Sequence, residues 1–190
     1  MNKEIVQKDQ IKHDHVAIKA PQFSFHRLLG SDPILDVEMS STGEVACFGD
    51  NVEEAFLKSL KASNVPIPEK GSSVLVCLND TSEISLIERI NKLGYHINAG
   101  NETTKELLEK NNISCNLTES NNCDNIKNKN IDLVLDMTKN SKENYTIRRT
   151  AIDYNTSLIT NDKQIELLVQ ALEKNPEIKP KSHCQYFEEY

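Results

Sequence analysis

Ile131-Asp132-Leu133-Val134-Leu135, the polar loop Asp136 to Glu143, and then Asn144-Tyr145-Thr146-Ile147-Arg148-Arg149-Thr150-Ala151-Ile152-Asp153-Tyr154 decide the fold. The first five residues are a mostly apolar run of strand length, the pattern of a strand buried on both faces. Ile147, Ala151 and Tyr154 recur at i, i+4 and i+7, which predicts a helix with these three on one face and Arg148 and Arg149 off it. Ser157-Leu158-Ile159 reads as another short strand, ending in Thr160-Asn161. Strand, loop, helix, strand is the unit of a parallel α/β sheet, in which ligands collect at the carboxyl ends of the strands. Asp136 to Asn144 and Thr160-Asn161 would both lie on that edge.

The same alternation extends upstream and downstream. Val74-Leu75-Val76-Cys77-Leu78 reads as a buried strand. A helix carrying Leu86, Ile87, Ile90 and Leu93 follows it, with Gly94 placed to end it. Tyr95-His96-Ile97 starts the next strand. A helix containing Leu107 and Leu108 is expected after Thr103-Thr104, then a short edge strand within Ile113 to Leu117. Residues 118–130, rich in Asn, read as a loop. In the last helix Asn161 is the cap and Ile165, Leu168, Val169 and Leu172 share a face. Alternating strands and helices with right-handed crossovers give a Rossmann-like three-layer α/β sandwich around one parallel sheet, from about 73 to 176.

Earlier residues are less regular. Residues 1–14 are charged and without periodicity, and are expected to form a flexible leader. A strand is expected from His15 to Ala20, stopped by Pro21. Two more are expected at Val37-Glu38-Met39 and Glu44 to Phe48. Asp50 or Asn51 caps a helix with Val52, Ala55, Phe56 and Leu60 on its apolar face. Pro66, Pro68 and Gly71 mark a linker over 66–72. The first 50 residues carry too few apolar groups for a core of their own and read as a piece of a larger domain.

The 190 residues carry 22 basic and 29 acidic groups, a net charge of −7. That balance argues against nonspecific nucleic-acid binding and against an anionic membrane surface. No apolar stretch reaches membrane-spanning length. The five cysteines are widely spaced with no CxxC pair, so reduced thiols in an intracellular protein are expected and no metal site. GxGxxG, Walker, HExxH and GxSxG signatures are all missing, so no cofactor and no catalytic set is assigned. His13 and His15, and His96 beside a strand, read as surface residues. Asp136 ends a strand at the ligand edge, where it could act chemically or simply cap a turn. Thr103-Thr104 before a helix could hold an anion through hydroxyls and N–H groups, or serve as an ordinary N-cap. Arg148 and Arg149 read as a solvated face or as contacts to another domain.

The run Val16-Ala17-Ile18-Lys19-Ala20-Pro21, with Asp32-Pro33-Ile34-Leu35 and Glu38-Met39-Ser40-Ser41-Thr42-Gly43-Glu44-Val45-Ala46-Cys47-Phe48-Gly49, resembles the carbamoyl-phosphate synthase large chain at the end of its second ATP-grasp unit. Tyr145-Thr146-Ile147-Arg148-Arg149-Thr150-Ala151 with Leu158-Ile159-Thr160-Asn161 resembles the regulatory domain of that chain, which has the methylglyoxal-synthase-like fold. The resemblance implies an ATP-grasp fragment plus helix over 15–65, the linker over 66–72, a regulatory domain over 73–176 and a tail over 177–190. The tail resembles that of the ammonia-dependent, urea-cycle type. A mitochondrial location is implied if the chain belongs to that type, and a cytoplasmic one otherwise.

In that family the ATP and magnesium ligands lie before the matched segment, so no catalysis by this chain alone is implied. What is implied is binding of a small anionic effector, N-acetylglutamate or a nucleotide, by Asn101, Thr103, Thr104, Asp136, Lys139, Asn144 and Asn161. Arg148 and Arg149 would face that pocket or a neighbouring domain, and the rest of a synthase would be the partner. Several positions depart from the family pattern. Ser82 stands near a family Lys, Asn101 near a Thr, Asp136 in place of an Asn, and no Trp is present. A carboxylate within about 4 Å of an anion costs on the order of 1 to 4 kcal/mol. A degenerate module that docks on a synthase is a second expectation. A methylglyoxal synthase-like enzyme using Asp136 is a third.

Overall fold

A computed structural model describes residues 15–34, 43–138 and 142–187. Strand β1 (Val16–Gln22) pairs antiparallel with β2 (Gly43–Gly49), and helix α1 (Val52–Ala62) packs on both. Pro21 does not stop β1. It sits within the strand opposite Glu44, which a two-stranded sheet permits because both of its strands are edges. The expected strand at 37–39 lies outside the described residues.

The remaining strands are β3 (Ser73–Cys77), β4 (His96–Ala99), β5 (Asn116–Leu117), β6 (Leu133–Asp136) and β7 (Ser157–Ile159). They form one parallel sheet in the order β5-β4-β3-β6-β7. Helices α2 (Ile84–Lys92), α3 (Glu102–Lys110), α4 (Asn122–Lys127), α5 (Tyr145–Asp153) and α6 (Asp162–Lys174) connect or follow them, and α7 (His183–Phe187) lies in the tail.

Strand alternation separates two apolar layers. Val74 and Val76 of β3, Ile97 of β4 and Leu133 and Leu135 of β6 pack with Phe56, Ile87, Ile90, Ile165 and Leu168. Leu75, Cys77 and Val134 point the other way, onto Ile126 of α4 and Ile147 and Ala151 of α5. Helices therefore cover both faces, which is the three-layer arrangement. Phe56 and Leu57 of α1 belong to the first layer and Ile18 packs against it, so the early segment shares the main core instead of building its own.

Three local expectations are corrected. Residues 118–130 are not a loop but a 3-10 turn (Glu119–Asn121) running into α4. Two side chains fix that helix: Ile126 is fully buried, and the Asn122 amide donates to Gly100 O at 2.7 Å. Tyr154 does not share the buried face of Ile147 and Ala151, because α5 ends at Asp153 and the ring is 44% exposed. Arg148 and Arg149 are buried, which removes the expectation of a solvated face and leaves that of contacts to another domain.

The chain passes from β3 to β4 and β5 on one side and then returns to β6 and β7 on the other. The strand order reverses beside β3, and ligands in open α/β sheets favour such a crevice. Cys77 and Asp136 are partners in register there, at the carboxyl ends of β3 and β6.

Candidate functional site

Asp136 ends β6 with its carboxylate buried, so each oxygen needs a partner. Oδ1 accepts from Thr138 N (3.2 Å), Thr138 Oγ1 (2.6 Å) and Asn144 Nδ2 (3.2 Å). Oδ2 accepts from Arg148 Nη1 at 2.6 Å. Asn144 Nδ2 also reaches Thr138 Oγ1 at 3.1 Å, so the loop after β6 folds back on the strand that feeds it.

Arg148 lies one helical turn beyond Asn144, on the side of α5 that faces this loop. Its side chain is 1% exposed. The guanidinium is held from two directions, since Nε and Nη2 also donate to the two oxygens of Asp32 at 2.8 and 2.5 Å. Burial alone would weaken the guanidinium's hold on its proton. The Asp32 and Asp136 carboxylates outweigh that and raise its pKa above the usual arginine range. The bonds to Asp32 form the parallel fork of an arginine–carboxylate pair, among the strongest polar contacts a protein makes. Arg149 extends the same connection, donating to the carbonyls of Phe25, Leu28 and Ser31 at 3.2, 3.0 and 3.4 Å and pairing with Asp153. The Tyr145 hydroxyl donates to Gly30 O.

The end of β4 is built differently. Gly100 N donates to Val76 O at 2.8 Å, and a Cβ at Gly100 would collide with Cys77 Sγ, so the chain hugs β3. Asn101 then caps α3, accepting from Thr104 N at 2.8 Å. Thr103 and Thr104 lie inside the first turn and do not precede the helix as expected. Thr103 is exposed. Thr104 is fully buried and turned inward, with Oγ1 accepting from Leu78 N (2.9 Å) and donating to Leu78 O (3.2 Å). That hydroxyl stitches α3 to the end of β3, so Thr104 is a structural residue here and not an anion contact.

Between the two strand ends is a cavity of about 300 Å³, bordered by Gly100, Asn101, Asn122, Asn144 and Thr146. Glu119, Asp124 and Glu143 line it as well, which makes it unfavourable for an anion. Asn161 caps α6 by accepting from Gln164 N at 3.2 Å and lies at the end of β7, one of the two edge strands of the parallel sheet. Lys139 lies outside the described residues. Ser82, near the family Lys position, is bonded to the carboxylates of Asp80 and Glu83.

Of the residues assigned from sequence, Asp136, Asn144 and Arg148 are thus in direct contact. Asn101 borders the neighbouring cavity, as does Asn144, while Thr104 ties α3 to the end of β3 and Asn161 caps its own helix. Sequence reasoning missed Asp32, Thr138 and Asn122. Asp32-Pro33 entered as part of the family resemblance, with no role of its own, while Thr138 and Asn122 sat in stretches read as loop. Among the described residues no group of three His, Cys, Asp or Glu could hold a metal ion. No described helix is long and apolar enough to cross a membrane.

Residues 83–160 match the MGS-like domain family. The chain is 36% identical over 93% of its length to mitochondrial carbamoyl-phosphate synthase (ammonia) of Mus musculus, of which it covers 13%. It is 34% identical over 88% of its length to multifunctional protein URA2 of Saccharomyces cerevisiae, covering 8% of it. A third relative is the mitochondrial arginine-specific carbamoyl phosphate synthase large chain of Schizosaccharomyces pombe, 35% identical over 88% of this chain and covered to 15%. The chain therefore spans between about a twelfth and a seventh of the length of these relatives.

Proposed function

Because residues 83–160 belong to the MGS-like domain family, in a chain similar almost end to end to a stretch of carbamoyl-phosphate synthase, we propose that it is a noncatalytic regulatory-type module. In this reading the carboxyl edge of its sheet is closed by its own ion pairs. Residues 15–65 are the end of an ATP-grasp unit with its helix, 66–72 a linker, 73–176 the regulatory domain and 177–190 a tail. The module acts by contact with the remainder of a synthase and not by sensing a small anion.

One observation carries this reading. Asp136 and Arg148, the charged pair at the switch point, are buried and bonded to each other, and Arg148 is also forked to Asp32. An anion arriving there meets two carboxylates around one guanidinium. Thr104, which the resemblance offered as an anion contact, is committed to Leu78. The same burial argues against a methylglyoxal synthase-like role, since a catalytic carboxylate must reach its substrate and both Asp136 oxygens are engaged inside the protein.

A second reading, binding of N-acetylglutamate or a nucleotide, is favoured by the cavity beside Asn101 and Asn144. Melting curves with N-acetylglutamate, UMP, IMP and phosphate separate the two, because a ligand specific to the folded form must raise the melting temperature. Closure predicts no saturable rise. Binding to a purified synthase that lacks this region, read by calorimetry, is predicted to be saturable and independent of those small molecules.

A further inference from the structure

We infer that Arg148 is a carboxylate-receptor site which Asp32 occupies as a tethered ligand, and that displacement of the loop bearing Asp32 opens it to a carboxylate from outside. This rests on the reading of the edge as closed, and adds what closes it and what could replace the closure.

The two carboxylates on Arg148 are held in unlike ways. Asp136 comes from a central strand, its side chain is 2% exposed, and it has Thr138 and Asn144 as further donors. Asp32 comes from a loop, and its side chain is 34% exposed. No residue from 21 to 32 is buried, and Leu28 and Leu29 of that loop are 53% and 88% exposed. The loop is fastened chiefly by polar bonds, from Arg149 to three of its carbonyls and from Tyr145 to Gly30 O. A segment with polar fastenings and little apolar burial belongs to the part of a fold that opens at low free energy. Gly30, at φ +76°, and the buried Pro33 bracket the departure.

When the loop leaves, the guanidinium stays, because it is anchored to Asp136 on a helix packed against the sheet. Nε and Nη2 then face the space the Asp32 carboxylate filled. Two parallel N–H donors fit a planar carboxylate bidentately. The incoming group restores the same local charge, one guanidinium between two carboxylates. Asp32 is in this sense autoinhibitory: it keeps the donors satisfied until another carboxylate, free or on a partner protein, competes for them.

Chemical rescue tests this on the whole chain. Asp32→Gly removes the tethered ligand and is expected to lower the melting temperature by roughly 3–10 °C. Sodium acetate, compared with sodium chloride at equal ionic strength, should recover part of that loss along a saturating curve. It should do nothing specific for the unaltered chain or for Asp32→Gly combined with Arg148→Gln. In parallel, the Arg148 Nε–H resonance should broaden in Asp32→Gly and sharpen again with acetate, a readout that does not depend on stability. If Asp32→Gly does not fold, Asp32→Ala, which vacates the same space with less backbone freedom, carries the same comparison. Acetate no better than chloride, or a rescue that persists without Arg148, overturns the inference while leaving the closed edge of the unaltered chain intact. Saturable acetate binding by the unaltered chain would instead overturn the closed edge itself.

Discussion

The carboxyl ends of β4 and β6 lie on the same edge of one sheet, yet they solve the problem of a strand end in opposite ways. At β4, the chain turns on Gly100, caps the next helix with Asn101 and leaves a cavity of about 300 Å³ beside it. At β6, Asp136 draws in Thr138, Asn144 and Arg148, and Arg148 draws in Asp32 from 116 residues earlier. The open end has no described cation among its lining residues and three carboxylates. The closed end has a cation that already holds two of the described carboxylates. An anion socket needs space and positive charge in the same place, and here they are separated.

The largest test of this contrast is Arg148→Met. It leaves the Asp136 carboxylate buried without its counter-charge, an error that costs about 3–5 kcal/mol, and urea denaturation should record a loss of that size. A loss near zero would mean that the closed end is not held by charge. Asp136→Asn, which keeps the shape but removes the charge, should cost less.

At the open end the expected effects are smaller and are matters of packing and hydrogen bonding. Thr104→Val leaves the Leu78 N–H and C=O without their side-chain partner and should cost about 1–3 kcal/mol. Thr103→Ala, on an exposed position, should fall within about 0.5 kcal/mol of the unaltered chain. Equal losses at the two threonines would remove the distinction drawn between them. Gly100→Ala should cost about 1–3 kcal/mol by overpacking against Cys77. Shortening the opposing side chain with Cys77→Ala should return part of that loss, and the double-mutant cycle measures the coupling.

Asn101→Ala removes the α3 cap and should cost about 1 kcal/mol. The smallest test concerns reactivity. Burial first, and then the charge of Asp136, push the Cys77 thiol well above its ordinary pKa. At pH 8 iodoacetamide should label the exposed Cys184 and leave Cys77 untouched in the folded chain. Rapid labelling of Cys77 would mean that the boundary between the two strand ends is open to solvent.

Much of the architecture could be read in the residues. Apolar runs of four or five residues placed β3 and β6. Asn51 and Asn161 cap helices as their positions suggested, through side chains that accept from the residue three positions on, whereas the cap of α3 is Asn101 and not Thr103-Thr104. Gly94, at φ +92°, ends α2 where a residue tolerating that conformation was needed. Helix α4 was hidden because a single buried Ile126 and the Asn122 amide hold it, and neither produces a periodic signal.

The site was less legible, for a reason of range. Periodicity treats arginine as outward-facing, and Arg148 points inward because Asp136, at the end of β6, and Asp32, from 116 residues earlier, both neutralise it. Spacing in sequence does not encode such a long-range pair. The inward direction of Thr104 does have a local signal: it stands four residues before Leu108, so the two share a helix face, and Leu108 packs into the core.

Isothermal titration of the unaltered chain with N-acetylglutamate tests most directly whether the sheet edge is shut. A flat titration into the millimolar range is the predicted result. A saturable heat that disappears in Asn101→Ala or Asn144→Ala would contradict it, and would make the cavity at the end of β4 a working effector site.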